Sequence, residues 1–142
     1  MKIVRLDKDS PLINIAIENE LKINKSHFIN PSKNTINYLL IDEGVIVGGV
    51  DYSFLIDEAE ILFLYVVEEE RGKGYSKYLL KNTFSMLKDM GVKKIFLEVN
   101  VNNHIAMGLY RKVFGFEPIN IRKKYYNNSE DAMSLWVEIW LF

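Results

Sequence analysis

Short blocks of apolar residues alternate with polar stretches along the first third of the chain. The block Lys2–Asp7 places isoleucine, valine and leucine in a pattern that predicts a first β-strand. Ser10 and Pro11 then predict the start of a helix, because serine is a good N-cap and proline suits the first turn. Apolar residues continue at helical spacing from Leu12, and the polar stretch His27–Asn34 after them predicts a loop or a short helix.

Three strongly apolar runs come next and predict three consecutive strands. They are Asn37–Ile41, Val45–Leu55 and Ala59–Val67. Asp42-Glu43-Gly44 separates the first two runs and is typical of a hairpin turn. Asp57-Glu58 predicts a second turn before the third run. Short turns of this kind join neighbouring antiparallel strands.

The second half of the chain changes to helical spacing after a glycine-rich segment. Apolar residues recur there at intervals of one or two helical turns, at Tyr75, Tyr78, Leu79, Met86, Leu87 and Met90. Gly91 suits the C-terminal end of this helix, and Lys94–Val99 predicts the next strand. Asn103 is placed to cap a further helix, which Gly115 ends.

Two more strands, Ile119–Tyr126 and Ala132–Trp140, complete the pattern, with a turn at Asn127–Glu130 between them. The predicted order is β, α, β-β-β, α, β, α, β-β over residues 1–142, which a chain of 142 residues accommodates as a single domain. We expect an α+β fold, arranged as a three-layer α/β/α sandwich. Its mixed, mostly antiparallel sheet would carry helices on both faces.

Composition and charge then narrow the function classes. Hydrophobic residues make up 49% and charged residues 26% of the chain, as in ordinary soluble globular proteins. The formal net charge of -1 argues against nucleic acid as a partner, since nucleic-acid-binding domains usually carry a basic excess. The chain has no cysteine and only two histidines, which excludes thiolate chemistry and argues against a metal site.

Hydropathy gives an expectation about location. No apolar run approaches the roughly 20 residues that a membrane span needs. Residues 1–9 alternate apolar and charged side chains and lack the apolar core of a signal peptide. We therefore expect a cytoplasmic protein without a membrane partner, either a monomer or a homodimer.

The segment Arg71–Ser76 is the strongest candidate for chemistry. Its glycines lie between a predicted strand and a predicted helix, where backbone N–H groups at a helix N-terminus bind anions, most often phosphate. A Walker A loop requires a lysine directly after its last glycine, but Tyr75 stands there, before Ser76. A dinucleotide-binding loop requires a third glycine where Lys77 stands. An ordinary strand-to-helix turn is the structural alternative.

A resemblance to a known family rests on this loop and on a second segment downstream. Arg71, Gly74 and Ser76 resemble the Arg/Gln-x-x-Gly-x-Gly/Ala pyrophosphate loop of the GCN5-related N-acetyltransferases (GNAT), with serine in the last place. The second segment is similar to the family's other signature, at Asn103, Ala106, Leu109, Tyr110, Gly115 and Phe116. The spacing from Tyr110 to Gly115 is one residue longer than in the commonest form, so we expect a bulge at this end of the helix.

The resemblance implies an acetyl-CoA-dependent acyltransferase that needs no metal. It covers the chain from about Glu60 to the C-terminus, while the first half matches only in the order of elements. The residues that it implies for binding acetyl-CoA are Leu64, Tyr65, Val66, Arg71, Gly72, Lys73, Gly74, Tyr75, Ser76 and Asn103.

A narrower resemblance concerns the acceptor. Asp57-Glu58-Ala59, Glu98 twelve residues before Tyr110, and the segments 121–126 and 130–132 are similar to the protein N-terminal α-amine acetyltransferases, and most similar to the ribosomal-protein alanine acetyltransferases. That group implies Glu98 as the general base and Tyr110 as the acid that protonates the departing CoA thiolate. Structural alternatives remain for both, an ion pair or a solvated carboxylate for Glu98 and helix packing for Tyr110.

The chemistry of the transfer is consistent with these two residue types. A thioester carbonyl must be polarised, the amine must lose a proton, and the sulfur must gain one. We expect the polarising group to be the backbone N–H of Val66, exposed by a bulge where its strand parts from its neighbour. A protein N-terminus is the preferred acceptor. A small-molecule amine, or a CoA-binding sensor or interaction module with little turnover, are the alternatives.

Overall fold

The computed structural model of the chain describes residues 1–6, 33–126 and 130–139, and of residues 120–126 and 130 the backbone alone. The strands are β1 (Lys2–Leu6), β2 (Thr35–Asp42), β3 (Val45–Leu55), β4 (Glu58–Val66), β5 (Lys94–Asn100), β6 (Glu117–Tyr126) and β7 (Glu130–Glu138). The helices are α1 (Tyr75–Asp89) and the short α2 (His104–Met107), with a 3₁₀ turn at Glu68–Glu70 and a π-helical segment at Gly108–Val113. The helix predicted to start at Ser10 lies outside the described residues.

Within the described residues, seven strands form one sheet in the order β1-β2-β3-β4-β5-β7-β6. Every neighbouring pair is antiparallel except β4 and β5, which run parallel. This mixed, mostly antiparallel sheet confirms the predicted fold class. The parallel pair is joined by the crossover that contains α1, as parallel strands require.

The parallel pair opens along its length, and this opening positions the candidate site. Glu58–Glu60 pairs with Lys94–Phe96, and beyond that point no further pairing joins the two strands. The pairing of β3 with β4 is interrupted at one point: Asp51 of β3 pairs with Phe63, but the next residue, Tyr52, pairs with Ile61. Leu62 of β4 is therefore an extra residue that forms a β-bulge. The bulge was expected near Val66. It lies four residues earlier, close to where the strands separate.

One face of the sheet packs against α1 and holds the main hydrophobic core. Leu79, Leu80, Phe84 and Leu87 of α1 are buried against residues such as Val50 of β3. A hydrogen bond of 2.7 Å joins the hydroxyls of Tyr52 on β3 and Thr83 on α1, so the contact between helix and sheet is fixed in register. Because successive side chains of a strand point to opposite faces, every second residue of these strands points into this core.

The other face of the central strands carries more polar residues. Asn37 and Asp51 are both buried there and are joined by a hydrogen bond of 2.7 Å from the amide to the carboxylate. Strand alternation places Glu60 of β4 and Glu98 of β5 on this same face, because Ala59 and Leu97 point into the core beside α1. The face opposite α1 is therefore the one that presents carboxylates.

Two turns differ in detail from the sequence-based expectation. The turn between β3 and β4 consists of Ile56 and Asp57, not Asp57-Glu58, since Leu55 and Glu58 form the closing pair. Ile56 has φ of 61°, a left-handed conformation that β-branched residues rarely adopt. In the part of the chain that the structure describes, no helix is long and apolar enough to cross a membrane.

Candidate active site

The glycine-rich loop forms the predicted strand-to-helix turn. Gly72 and Gly74 have φ of 82° and 80°, in the left-handed region that glycine adopts without strain. Gly74 is the N-cap of α1, so the first backbone N–H groups of this 15-residue helix are directed into the loop. No atom lies within 4 Å of the position that a Cβ would take at either glycine. An anion can therefore approach this backbone closely, and a pyrophosphate fits the site.

The two basic residues of the loop make contacts within the protein. The Arg71 guanidinium donates through Nε to the carbonyl oxygen of Val66 at 3.1 Å, which fastens the loop to the end of β4. The Lys73 ammonium lies 2.6 Å from the carboxylate of Glu70, and this hydrogen bond raises the pKa of Lys73. The predicted contacts of both side chains with phosphate stay predictions.

The wall of the opening is the exposed backbone edge of β4. Val67 donates its N–H to the carbonyl of Val47 on β3 at 2.9 Å. Because N–H groups alternate in direction along a strand, those of Val66 and Leu64 point away from β3, toward the opening. The bulge at Leu62 sets this alternation. The Val66 N–H, which was expected to polarise a carbonyl, therefore points toward the opening, and so does the Leu64 N–H. The role of the Val66 N–H stays a prediction.

A cleft of about 900 Å³ lies in the opening between β4 and β5. Its volume is within the range of small-molecule sites. Glu98 and Tyr110 line it, together with nine of the ten residues predicted to bind acetyl-CoA: Leu64, Tyr65, Val66, Arg71, Gly72, Gly74, Tyr75, Ser76 and Asn103. Lys73 is not among the lining residues. The structure therefore brings both signature segments to one cavity, although they are far apart in the chain.

The segment after β5 supplies the opposite wall of the cleft. The side chain of Asn103 accepts a hydrogen bond of 3.1 Å from the N–H of Ala106 and so caps α2 as predicted. After α2 the chain widens into a π-helical segment at Gly108–Val113. The expected irregularity between Tyr110 and Gly115 is confirmed, since a π-helical turn is how a helix accommodates one inserted residue.

Tyr110 lies in this π-helical segment with only 6% of its surface exposed. Its ring packs against Phe116 with 5.6 Å between ring centroids. Burial raises the pKa of Tyr110 well above the ordinary value for tyrosine. The hydroxyl therefore keeps its proton at neutral and moderately alkaline pH, which suits a proton donor.

Glu98 stands where two cavities meet. Besides the cleft, a second cavity of about 560 Å³ is lined by Glu98, Leu97 and residues of five strands. Leu97 and Glu98 belong to the lining of both. Glu98 therefore borders both the cleft and the second cavity.

Some contacts of the site were not predicted from the sequence. The hydroxyl of Tyr75 donates to the carboxylate of Asp42 at 3.1 Å, which ties the glycine loop to the turn between β2 and β3. Glu60, which lines the second cavity, was not recognised either. Its alternation with Ala59 and Ile61 was the available signal. Within the described residues no group of acidic or histidine side chains is arranged to hold a metal ion.

The 3₁₀ turn Glu68–Glu70 is an acidic run before the loop, and its residues differ in their position relative to the cleft. Glu70 lines it, whereas Glu69 is exposed outside it. We expect Glu70→Gln to tighten CoA binding about threefold to fivefold, because it removes a negative charge near the phosphates and releases Lys73 toward them. Calorimetric titration at low and high salt measures this effect. The matched variant Glu69→Gln should change affinity less than twofold, and weaker binding by Glu70→Gln would contradict the expectation.

Comparison with known proteins agrees with this geometry. Residues 6–116 match the model of the Acetyltransferase (GNAT) family. A putative [ribosomal protein bS18]-alanine N-acetyltransferase of Bacillus subtilis is 37% identical over 105 residues, which cover 72% of this chain and 69% of that protein.

Two solved structures share the fold. The ribosomal-protein-S18-alanine N-acetyltransferase from Escherichia coli has a TM-score of 0.84 at 22% identity, over 97% of this chain and 94% of that one. A GNAT family acetyltransferase from Elizabethkingia anophelis with acetyl-CoA bound has a TM-score of 0.74 at 22% identity, over 96% and 97% of the two chains. With a family match over most of its length and a cleft built from both signature segments, the chain belongs to the GNAT family and is an N-acetyltransferase that uses acetyl-CoA.

Proposed function

We propose that this chain acetylates the N-terminal α-amine of a protein. The observation that carries the proposal is the position of Glu98 at the junction of two cavities. The cleft on one side is lined by the glycine-rich loop, which would bind the phosphates of acetyl-CoA. The cavity on the other side gives an amine a separate approach to the same carboxylate. A direct transfer requires such an arrangement, with donor and acceptor bound together.

The donor side is assigned to residues of the cleft. The N-terminus of α1 with Gly72, Gly74 and Ser76 would hold the pyrophosphate, with Arg71 holding the loop against β4. The exposed edge of β4 would hydrogen-bond the amide-containing arm of the cofactor, as an added strand does. Bound acetyl-CoA supplies the thioester. An N–H of Leu64 or Val66 would then polarise its carbonyl.

We infer that the acceptor is an α-amine because the proposed base, Glu98, is a single carboxylate and so a weak base. The reference pKa of an α-amine is about 7.7–8.0, against about 10.4 for lysine. Near pH 7.5 roughly one third of an α-amine is already neutral, but only about one lysine amine in a thousand. A single glutamate, acting directly or through water, is therefore sufficient for an α-amine.

Glu98 and Tyr110 are assigned opposite proton transfers. Glu98 would accept the proton that the attacking amine loses, since it lies where the acceptor meets the cleft. Tyr110 would donate its hydroxyl proton to the departing thiolate, and its burial keeps that proton in place until then. The names of several relatives support this acceptor, among them the protein of Bacillus subtilis named for alanine of ribosomal protein bS18.

Release of free thiol from acetyl-CoA tests the proposal. We expect turnover with short peptides that begin with alanine or serine, and at least tenfold lower kcat/KM with a polyamine, an amino sugar and a free amino acid. Calorimetric binding of CoA serves as the control that the protein is folded. Turnover with small amines alone would contradict the proposal that the acceptor is a protein N-terminus. Tight CoA binding without any turnover would contradict the proposal that the chain catalyses acetyl transfer.

A further inference from the structure

We propose that the second cavity binds the first residues of an extended acceptor segment and selects a positively charged side chain at its third residue. The inference rests on the proposed function, because it assigns the acceptor to one particular route toward Glu98. The cavity, here called the acceptor cavity, is lined in part by Glu58 and Glu60 of β4, Phe96 and Glu98 of β5, and Ser134 of β7.

The acceptor cavity adjoins the candidate active site, since two residues line both. It lies on the sheet face opposite α1 and shares Leu97 and Glu98 with the cleft. The two shared residues come directly after Phe96, which forms the last β4–β5 pair with Glu60, so they lie where the strands separate. An amine at this junction can reach Glu98 while the rest of its chain stays in the acceptor cavity. An acceptor that enters here does not compete with the cofactor for space.

The charge of the cavity fits a basic occupant. Its described lining contains three glutamates and neither lysine nor arginine. Lys94 lies across from Glu58 in the sheet, but its ammonium group is 5.4 Å from the centre of the Trp136 ring and outside the lining. A partly enclosed site of one sign concentrates counter-charged ligands more strongly than an open surface does.

Two apolar residues of the lining are strongly exposed, and they are here called the rim of the cavity. Leu55 is 72% exposed and Ile119 is 51% exposed, and both line the cavity. Next to Leu55, Ile56 is 86% exposed and has the left-handed φ of 61°. A β-branched residue in that conformation costs of order 1–3 kcal/mol, and such strain is concentrated at functional sites. In the proposed complex, the turn at Ile56 holds Leu55 in place for an apolar contact with the peptide.

The spacing of the carboxylates predicts which acceptor residues they meet. Glu98 lies two residues beyond the level of Glu60 and four beyond that of Glu58, which is about 7 Å and about 13 Å along a strand. In an extended peptide, alternate side chains lie on one side at the same spacing. With the α-amine at Glu98, the third side chain therefore lies near Glu60 and the fifth near Glu58.

Two peptides of identical composition test this register. We expect Ala-Gly-Arg-Gly-Arg-Gly, with arginine at positions three and five, to have about tenfold higher kcat/KM than Ala-Arg-Gly-Arg-Gly-Gly. Arginine is used because its guanidinium is not an acceptor. The double variant Glu58→Gln/Glu60→Gln should abolish the difference, mainly through KM. The control Asp89→Asn, at the exposed end of α1, should preserve it.

The rim has its own test. Leu55→Ser should raise KM for both peptides severalfold, whereas Val45→Ser, at the opposite end of the same strand and 61% exposed, should not. Equal turnover of the two peptides by the unmodified protein would overturn the inference and leave the proposed function standing. Turnover of neither peptide, with CoA still bound, would overturn the proposed function and the inference with it.

Discussion

Replacing Tyr110 with phenylalanine is expected to lower kcat about a hundredfold to a thousandfold while leaving CoA affinity within twofold. A positioned general acid contributes rate factors of this size, and the variant removes only the hydroxyl. The ring that packs against Phe116 is kept, so the fold is preserved. Stopped-flow thiol release with an alanine peptide measures the effect. Tyr38→Phe is a matched control, because Tyr38 is as deeply buried and its hydroxyl faces Met90, away from the cleft.

The pH dependence of the unmodified protein adds a second readout for Tyr110. Burial raises the pKa of Tyr110, so the protonated form that donates to the thiolate is fully present at neutral pH and is lost only above the ordinary tyrosine range. The kcat profile should therefore rise as the acceptor amine becomes neutral and stay level to about pH 10. An unchanged kcat in Tyr110→Phe would contradict its role as the acid.

The second large effect is expected at Glu98. Glu98→Gln should lower kcat/KM for an alanine peptide about a hundredfold at pH 7, because the side chain can no longer accept a proton. The deficit should shrink above about pH 8, where the α-amine is already neutral without help. Parallel pH profiles of the two proteins measure this. Glu117→Gln removes an exposed carboxylate from the edge strand β6 and should have no effect. Full activity of Glu98→Gln at pH 7 would contradict its assignment as the base.

The sequence was sufficient for the parts of the site that depend on local geometry. Glycines at positions 72 and 74 predict a tight turn, because glycine adopts left-handed backbone conformations without strain. Both glycines have such conformations in the structure. One extra residue between Tyr110 and Gly115 predicted a local irregularity, because a helix absorbs an insertion by widening one turn. The structure has a π-helical segment there.

Features that depend on pairing between distant strands were less accessible. The bulge at Leu62 leaves no mark in an apolar run that reads Ile61-Leu62-Phe63, so its position was placed four residues too late. The acceptor cavity was missed for a similar reason. Glu60 and Glu98 are 38 positions apart, and only the parallel register of β4 with β5 brings them to one face. Periodicity within one segment does not show which distant strand will lie beside it.

The most direct test of the central claim is to map the acetylated nitrogen on a peptide that has an N-terminal alanine and an internal lysine. After incubation with acetyl-CoA, tandem mass spectrometry locates the acetyl group. The account predicts that it lies on the α-amine, and that both Glu98→Gln and Tyr110→Phe slow its appearance at pH 7. Acetylation of the lysine side chain, or an unmodified peptide despite bound CoA, would contradict the account.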